Sequence, residues 1–442
     1  NAIEEVVWKA DGMYGKAIDK IVGHLKDALP YAENDRQKKV IELLIEFYNT
    51  GDLKKFDEYS IAWVADSTSR VDFVNGFIET YGDPLGLKAS WESIVNFKNL
   101  EATKRTEVLS DNAQWFEDNS PVDARFKKKE CKGVTAKVIT TAILAGDCYP
   151  ATPIGINLPN ANWIRETYGS KSVTIANITY AYDQAAKGNG FKEEFVDCDA
   201  DREMIEKYGY ITDNIHTDLH ECLGHGSGQL LPGVSQDALK AYGATVEEAR
   251  ADLFGLYYSA DPKMVELGLL PTEDAYKAEY YTYLMNGLMT QLARINLGDQ
   301  IEEAHMRNRA LIAHWVYEKG AADKVVELEK RDGKTYVRIN DYKKLRTLFG
   351  DLLAEIQRIK SEGDFEAARK LVENYGVNID PELHKEVKER YAKLNISPYK
   401  GFINPTYQLV EKDGKVVDVK VDYKEGYAEQ MLRYSKMNNN VE

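Results

Sequence analysis

Two histidines with a glutamate beside the first, in His-Glu-Cys-Leu-Gly-His at 220–225, form the group in this chain best suited to chemistry. Two imidazoles and a nearby carboxylate can bind zinc and activate a water molecule on it. In the familiar H-E-x-x-H helix the histidines are four residues apart, so a rotation of ~400° leaves both rings on one face. Here the spacing is five, and a regular helix would point the rings roughly 140° apart, too divergent for one metal ion.

This spacing allows two interpretations. Either the motif is accidental, or the helix contains one extra residue as a π-type bulge, a distortion that is common at functional sites. Gly224 favours the bulge, because a residue without a side chain crowds a distorted turn least. The sequence therefore predicts an overfull helical turn over 220–225, with an i→i+5 hydrogen bond or an open turn near 222–224.

The stretch Glu-Glu-Ala-Arg-Ala-Asp at 247–252 contains a candidate third ligand. Zinc with two histidines needs another protein ligand, often a carboxylate, and Glu248 follows the histidines after a glycine-rich connection. Thr245 followed by Glu248 also fits a capping box, which would make Glu248 a helix-start residue only. A capping box does not explain Glu247 and Asp252, which could accept the outer N–H groups of the two imidazoles.

The two motifs together, H-E-x-x-G-H followed by E-E-x-R-A-[DE], resemble those of the zinc metallopeptidases of the dipeptidyl peptidase III type. The resemblance implies that one zinc ion is bound by His220, His225 and Glu248. It also implies that Glu221 is the catalytic base. Cys222 stands where relatives often carry an aliphatic residue. Because it lies two positions after His220, it should point away from the metal, and we interpret it as a packing residue.

The segment Gly76-Phe-Ile-Glu-Thr-Tyr-Gly-Asp-Pro84 is by itself typical of a strand end followed by a turn. The family has a similar F-I-E-x-Y-x-D-P segment, which implies that Glu79 holds the N-terminal ammonium of the substrate. The same resemblance implies that Tyr81 steadies the oxyanion. Both roles suit the chemistry, since a carboxylate pairs with an amine and a phenol can donate to a developing oxyanion.

Two more segments match the family. Residues 153–160 are rich in Pro and Gly, so they predict an irregular segment whose asparagines form Asx-turns. The resemblance instead implies that Asn157 and Asn160 bind the peptide backbone and N-terminus. A lone helical histidine is more often structural than catalytic, but His305 and Arg309 are four apart and share a face. The family pattern H-M-x-x-R implies that His305 reaches the scissile region and that Arg309 assists in binding the substrate.

The resemblance implies a mainly α fold with minor β (α+β), in two lobes with a cleft between them and the zinc site on helices of the catalytic lobe. The expected catalytic lobe comprises 100–137 and 187–391, and the second lobe comprises 1–99, 138–186 and 392–442.

Local sequence patterns also predict individual hairpins and helices. Asp-Gly pairs between β-rich runs predict hairpins at Val325–Ile339 and Tyr407–Tyr423. Helical periodicity predicts helices over 3–66 (a run of antiparallel helices), 99–117, 341–361, 363–376 and 380–394.

Composition limits the possible partners. The chain has 442 residues, 43% of them hydrophobic, which suffices for a large buried core. A net charge of −15 without a basic tract argues against nucleic acid, and no apolar run is long enough to span a membrane. Four widely spaced cysteines favour free thiols and a cytoplasmic location. The chain begins with Asn1 and family members are longer, so we expect a fragment that lacks the N-terminal part.

These features predict a hydrolase: a zinc-dependent aminopeptidase-like metallopeptidase that releases dipeptides from short peptides with a free N-terminus. Zinc would polarise the scissile carbonyl and activate water, and Glu221 would pass the proton of that water to the leaving amine. Two alternatives remain at this stage. One is a zinc endopeptidase with a thermolysin-like mechanism, and the other is a catalytically weak fragment that only binds peptide.

Overall fold

The computed structural model describes residues 5–79, 89–131, 137–149, 153–235, 237–396 and 402–438. Its helices are α1 (Gly15–Ala28), α2 (Asp35–Thr50), α3 (Leu53–Ala65), α4 (Leu100–Asp111), α5 (Ala113–Asp118), α6 (Asn162–Tyr168), α7 (Ala176–Ala186), α8 (Phe191–Phe195), α9 (Asp199–Leu219), α10 (Gly243–Ser259), α11 (Lys263–Glu266), α12 (Tyr276–Leu288), α13 (Ala304–Lys319), α14 (Tyr342–Glu362), α15 (Phe365–Tyr375), α16 (Pro381–Lys393) and α17 (Tyr427–Asn438). Its strands are β1 (Val71–Glu79), β2 (Ser90–Lys98), β3 (Lys137–Gly146), β4 (Gly155–Leu158), β5 (Lys171–Ile175), β6 (Val326–Arg331), β7 (Lys334–Ile339), β8 (Thr406–Lys412) and β9 (Lys415–Asp422). The fold is mainly helical with a minor β part, which confirms the predicted α+β class.

The chain forms two compact units, 1–100 with 137–182 and 401–442, and 101–136 with 183–400. We call them the mixed unit and the helical unit. The two units differ from the expected lobes at 100 and 137, which group with the mixed unit, and at 183–186 and 392–396, which group with the helical unit. Around 392–396, helix α16 belongs to the core of the helical unit, because Arg390 binds Glu194 and Leu394 packs on that core.

The mixed unit is built around a sheet with the strand order β1-β2-β3-β5-β4. β1 to β3 pair antiparallel, β5 runs parallel to β3, and β4 pairs antiparallel with β5. Apolar side chains of α1, α2 and α3 share one buried core with those of the sheet, for example Leu44, Trp63 and Ile94. This packing gives a rigid support for the end of β1, where Glu79 lies.

The helical unit is organised around α10, whose residues are buried along almost its whole length. Helices α9, α13 and α14 pack against it, and their apolar faces form one continuous core. A helix that is buried on every side shows no amphipathic stripe.

The local elements near the C-terminus follow their sequence signals. Both predicted hairpins are confirmed as β6–β7 and β8–β9, each with an Asp-Gly turn in the left-handed region. Helices α14, α15 and α16 confirm the three predicted helices. Each begins after an aspartate whose side chain accepts backbone N–H groups of the first turn, namely Asp341, Asp364 and Asp380.

Two local predictions were wrong. The β-branched, apolar pattern of 172–179 predicts a strand throughout, but β5 ends at Ile175 and α7 begins at the next residue. The side chain of Asn177 accepts from the N–H of Thr141 and donates to its carbonyl, so a tertiary contact overrides the β-branched local pattern. The segment 153–160 was expected to be irregular, but it contains the edge strand β4, because β5 provides its hydrogen-bond partners.

Within the described ranges, no helix combines the length and the apolar character that a membrane span requires. All four cysteines lie in the described part of the chain, and none of them is joined in a disulfide.

Candidate metal centre

The two histidines are brought together by a distorted helical turn. Helix α9 ends at Leu219 and continues directly into a π-helical turn, His220–Gly224. The N–H of His225 donates to the carbonyl of His220 at 3.0 Å, an i→i+5 bond. The two rings consequently lie 4.6 Å apart between centroids. The predicted overfull turn is confirmed, and it removes the angular divergence that a regular helix would impose.

Glu248 is brought to this turn by α10. That helix begins at Gly243 after Tyr242, so Thr245 lies inside the first turn and is not the capping residue. The capping-box interpretation of Glu248 is therefore wrong. Glu248 projects instead toward the histidines, with its Oε2 atom 3.3 Å from His220 Nε2 and 4.0 Å from His225 Nε2.

These three atoms form a set that fits a metal ion. The ligand atoms of His220, His225 and Glu248 all lie within 4.8 Å of one another. Glu248 Oε2 is buried and has no hydrogen-bond partner among the described residues. An unpaired buried carboxylate oxygen is costly unless a cation or proton compensates it. Two imidazole nitrogens and one carboxylate oxygen are a typical donor set for zinc.

Each histidine has its outer nitrogen held by a carboxylate of α10. His220 Nδ1 lies 2.7 Å from Asp252 Oδ1, and His225 Nδ1 lies 2.8 Å from Glu247 Oε1. An ionised carboxylate only accepts hydrogen bonds, so both Nδ1 atoms must carry the proton. In the neutral form of each ring, Nε2 then has a lone pair, which is the tautomer that metal binding requires.

The electrostatics of the site favour a cation. Burial alone would lower the pKa of His220, but its hydrogen bond to Asp252 and its close contact with Glu248, together with the charges of Asp252 and Glu221, raise that pKa to about 10. Burial likewise opposes ionisation of Glu248, yet the imidazoles of His220 and its neighbours hold the pKa of this carboxyl below its ordinary value. The site thus attracts positive charge, which a bound metal would supply in place of a proton.

Arg250 connects the π turn to α10 and was not identified as a site residue from the sequence. Its guanidinium is fully buried and contacts Glu247 at 2.7 and 3.0 Å. It also donates to Ser227 Oγ at 2.6 Å and to the carbonyl of His225 at 3.2 Å. Lys360 pairs with the same glutamate. Burial would raise the pKa of Glu247, but His225, Arg250 and Lys360 hold it far below its ordinary value.

The other predicted residues of the helical unit lie at varying distances from this centre. His305 Nε2 is 3.6 Å from Glu248 Oε2, and its Nδ1 is 2.6 Å from Glu303 Oε1. Glu221 is exposed on the π turn, next to His220. Arg309 is half-buried on α13. Burial raises the pKa of the Glu279 carboxyl to about 7, and the charge of Arg309 offsets only part of this increase.

The mixed unit contains the predicted substrate-binding residues. Glu79 ends β1, and the Asn160 amide donates to the carbonyl of Ile78 at 3.4 Å and hydrogen-bonds the Glu79 carboxylate. Burial and the nearby Asp147 raise the pKa of Glu79, and the Asn160 contact lowers it in part. The backbone of Asn157 lies in β4. Tyr81 lies outside the described residues.

The close approach of the π turn to α10 leads to a prediction for Gly224→Ala. A Cβ atom at Gly224 would lie 2.9 Å from Ala251 Cα and 3.0 Å from its carbonyl oxygen, both in the backbone of the neighbouring helix. We expect a loss of about 1–3 kcal/mol in the free energy of unfolding, because the two helices must separate. Chemical denaturation measures this loss.

Gly209→Ala is the matched control for this substitution. Gly209 lies inside α9, and the nearest atom to its added Cβ belongs to the side chain of Ile205 at 3.5 Å, an ordinary contact. This change should stabilise the protein by roughly 0.5–1 kcal/mol, as alanine normally does within a helix. Equal effects of the two substitutions would contradict the close-packing account.

Sequence comparisons place the chain among known peptidases. The model of peptidase family M49 matches residues 3–240 and 234–431. Dipeptidyl peptidase 3 of Dictyostelium discoideum is 27% identical over 416 residues, which are 82% of this chain and 57% of that protein. Human dipeptidyl peptidase 3 is 25% identical over 466 residues, 95% of this chain and 62% of that protein. The chain thus spans about three fifths of the length of these curated relatives.

A solved structure supports the fold independently. The structure of DPP III from Caldithrix abyssi aligns with a TM-score of 0.71 at 24% sequence identity, covering 88% of this chain and 70% of that chain. A second structure, dipeptidyl-peptidase III from Corallococcus sp. strain EGB, gives a TM-score of 0.60 over 87% of this chain. The family match covers nearly the whole sequence, and this chain belongs to peptidase family M49.

Proposed function

We propose that this protein is a zinc-dependent exopeptidase that releases dipeptides from the N-termini of short peptides. The observation that carries the proposal is the convergence of His220 Nε2, His225 Nε2 and Glu248 Oε2, with both outer ring nitrogens tied to carboxylates. The relatives named dipeptidyl peptidase 3 support the substrate class.

The metal would be held by His220, His225 and Glu248. Bound zinc supplies a Lewis acid that polarises a peptide carbonyl and lowers the pKa of water. Glu221, whose side chain is exposed on the π turn, would take a proton from the attacking water and deliver it to the nitrogen of the leaving amine. The proximity of His305 Nε2 to Glu248 Oε2 supports a role for this histidine in stabilising the oxyanion.

Recognition of the substrate N-terminus is assigned to the mixed unit. The carboxylate of Glu79 would pair with the ammonium group of the peptide, and Asn157 and Asn160 would bind its backbone. The hydrogen bond between Asn160 and Glu79 supports their action as one group. We propose that Arg309 assists in binding the substrate.

Tyr81→Phe tests the proposed oxyanion donor. The substitution removes one hydroxyl and keeps the ring, so it should lower kcat by roughly 10²-fold or more with little change in KM. Steady-state kinetics on a dipeptidyl arylamide measures both constants. A raised KM with unchanged kcat would instead make Tyr81 a substrate-binding residue.

The experiment that tests the function combines metal analysis with a pair of substrates. The purified protein should contain about one zinc per chain, as a single three-ligand catalytic site predicts. It should cleave a dipeptidyl arylamide but not the N-acetylated form of that substrate, because acetylation removes the positive charge that Glu79 binds. Equal cleavage of both forms would favour the endopeptidase alternative. Zinc binding and peptide binding without turnover would favour the catalytically weak fragment.

A further inference from the structure

Asp252, the carboxylate that orients His220, is held by four hydrogen-bond donors from three helices. Its Oδ1 atom accepts from His220 Nδ1 at 2.7 Å and from His216 Nε2 at 3.2 Å. Its Oδ2 atom accepts from the Tyr283 hydroxyl at 2.7 Å and from the Asn308 amide at 3.0 Å. All of these side chains are buried or nearly so. The carboxylate is therefore fully paired, and each donor restricts its orientation.

His216 shares the oxygen atom that holds the zinc ligand. It lies on α9 four residues before His220, so both rings project from the same face of the helix. Because Asp252 Oδ1 only accepts, His216 must carry a proton on Nε2. This histidine belongs to no recognised motif, and the sequence alone led us to interpret it as a structural residue.

A buried acid faces the other side of the His216 ring. Glu279 Oε1 lies 3.6 Å from His216 Nδ1, which is ion-pair distance but longer than a direct hydrogen bond. Among the described residues, His216 Nδ1 has no hydrogen-bond partner. The charges that act on Glu279 come from His216, Asp213, Asp252 and Arg309. The ring of His216 thus lies between the carboxylate that it donates to and the buried carboxyl of Glu279 at its far edge.

We propose that His216 is a positioning residue for the zinc ligand His220, acting through Asp252. The inference rests on the proposed zinc site and extends it by one residue. The Nε2–H of His216 holds Asp252 Oδ1 where this atom meets His220 Nδ1. Without that N–H, the carboxylate retains the two donors on Oδ2 but gains freedom at Oδ1, so His220 is held less firmly.

Two amide substitutions at His216 are both polar but place the hydrogen-bond donor at different positions. The amide nitrogen of His216→Gln falls near the position of Nε2 and can still donate to Asp252, whereas that of His216→Asn falls near Nδ1 and cannot. Zinc affinity is measured by competition with a chelator on the intact protein. We expect His216→Asn to raise the zinc Kd about 10-fold, the lower end of the range for groups that support metal ligands. His216→Gln should remain close to the unsubstituted protein.

A double substitution tests whether the effect passes through Asp252. Asp252→Asn should itself raise the zinc Kd by about 10–100-fold. If His216 acts through Asp252, adding His216→Asn to Asp252→Asn should produce little further loss, because coupled residues are not additive. Additive losses, or equal zinc affinities of the two His216 variants, would overturn the proposal.

The outcomes also distinguish this inference from the proposed function. If the unsubstituted protein binds zinc tightly and His216→Asn leaves the Kd unchanged, the positioning role fails while the zinc site stands. If the unsubstituted protein binds no zinc, both fail. Should His216→Asn not fold, Tyr283→Phe replaces it in the same cycle with Asp252→Asn, since it removes another donor to Asp252. An unchanged zinc Kd in Tyr283→Phe would then count against any positioning of His220 through that carboxylate.

Discussion

Replacing Glu221 by glutamine should reduce kcat by about 10²–10⁴-fold while the protein still binds zinc, because only the proton acceptor is lost. Glu221 lies on the π turn with its side chain exposed, and none of the three proposed ligand atoms belongs to it. Glutamine keeps the size and polarity of the side chain but cannot accept a proton at neutral pH. KM for a dipeptidyl arylamide should change little, since the contacts to substrate are unaltered.

Glu203→Gln is the matched control for this experiment. Glu203 is exposed on α9, the helix that continues into the π turn, and it receives the same chemical change. Its kcat, KM and zinc content should equal those of the unsubstituted protein. If Glu221→Gln retained full turnover, another group would have to accept the proton. If it lost zinc together with activity, Glu221 would support the metal and not act only as a base.

The convergence of the two histidines was predictable because it depends on the geometry of a single helical turn. The five-residue spacing of His220 and His225 admits one metal only if the turn contains an extra residue, and the structure contains that π turn. Likewise, the hairpins and helices near the C-terminus follow from Asp-Gly turns and from aspartates that accept first-turn N–H groups. In such cases the deciding contacts lie within a few residues of one another.

The roles of Asp252 and Arg250 and the start of α10 could not be predicted, because they depend on contacts between distant parts of the chain. Asp252 receives donors from His216, Tyr283 and Asn308, which lie 31 to 56 residues away in sequence. Arg250 donates to the carbonyls of His225 and Ser227 because α10 places it beside the segment that follows the π turn. The capping-box interpretation of Glu248 failed for a related reason. Its local pattern was sound, but tertiary packing starts the helix earlier, at Gly243.

The two adjacent glutamates of α10 should respond in opposite ways to replacement by alanine. Glu248→Ala removes a proposed ligand, so zinc affinity should fall by more than the roughly 10–100-fold that loss of a supporting group costs. The metal-free protein should lose less stability than it does in Glu247→Ala, because the carboxylate of Glu248 contacts the histidine rings and, among the described residues, makes no well-directed hydrogen bond through Oε2. Since zinc stabilises the fold only as far as it binds, the increase in Tm on adding zinc should disappear.

Glu247→Ala should instead destabilise the protein with or without zinc. Glu247 pairs with the fully buried guanidinium of Arg250, and removing one partner of a buried pair costs about 3–5 kcal/mol. Glu247→Ala should lower zinc affinity less than Glu248→Ala does, because Glu247 is not a proposed ligand and acts on the site through its hydrogen bond with His225 Nδ1. Thermal unfolding of both variants in chelator and in excess zinc measures the two responses. A zinc-dependent increase in Tm that persists in Glu248→Ala would show that this carboxylate is not a ligand.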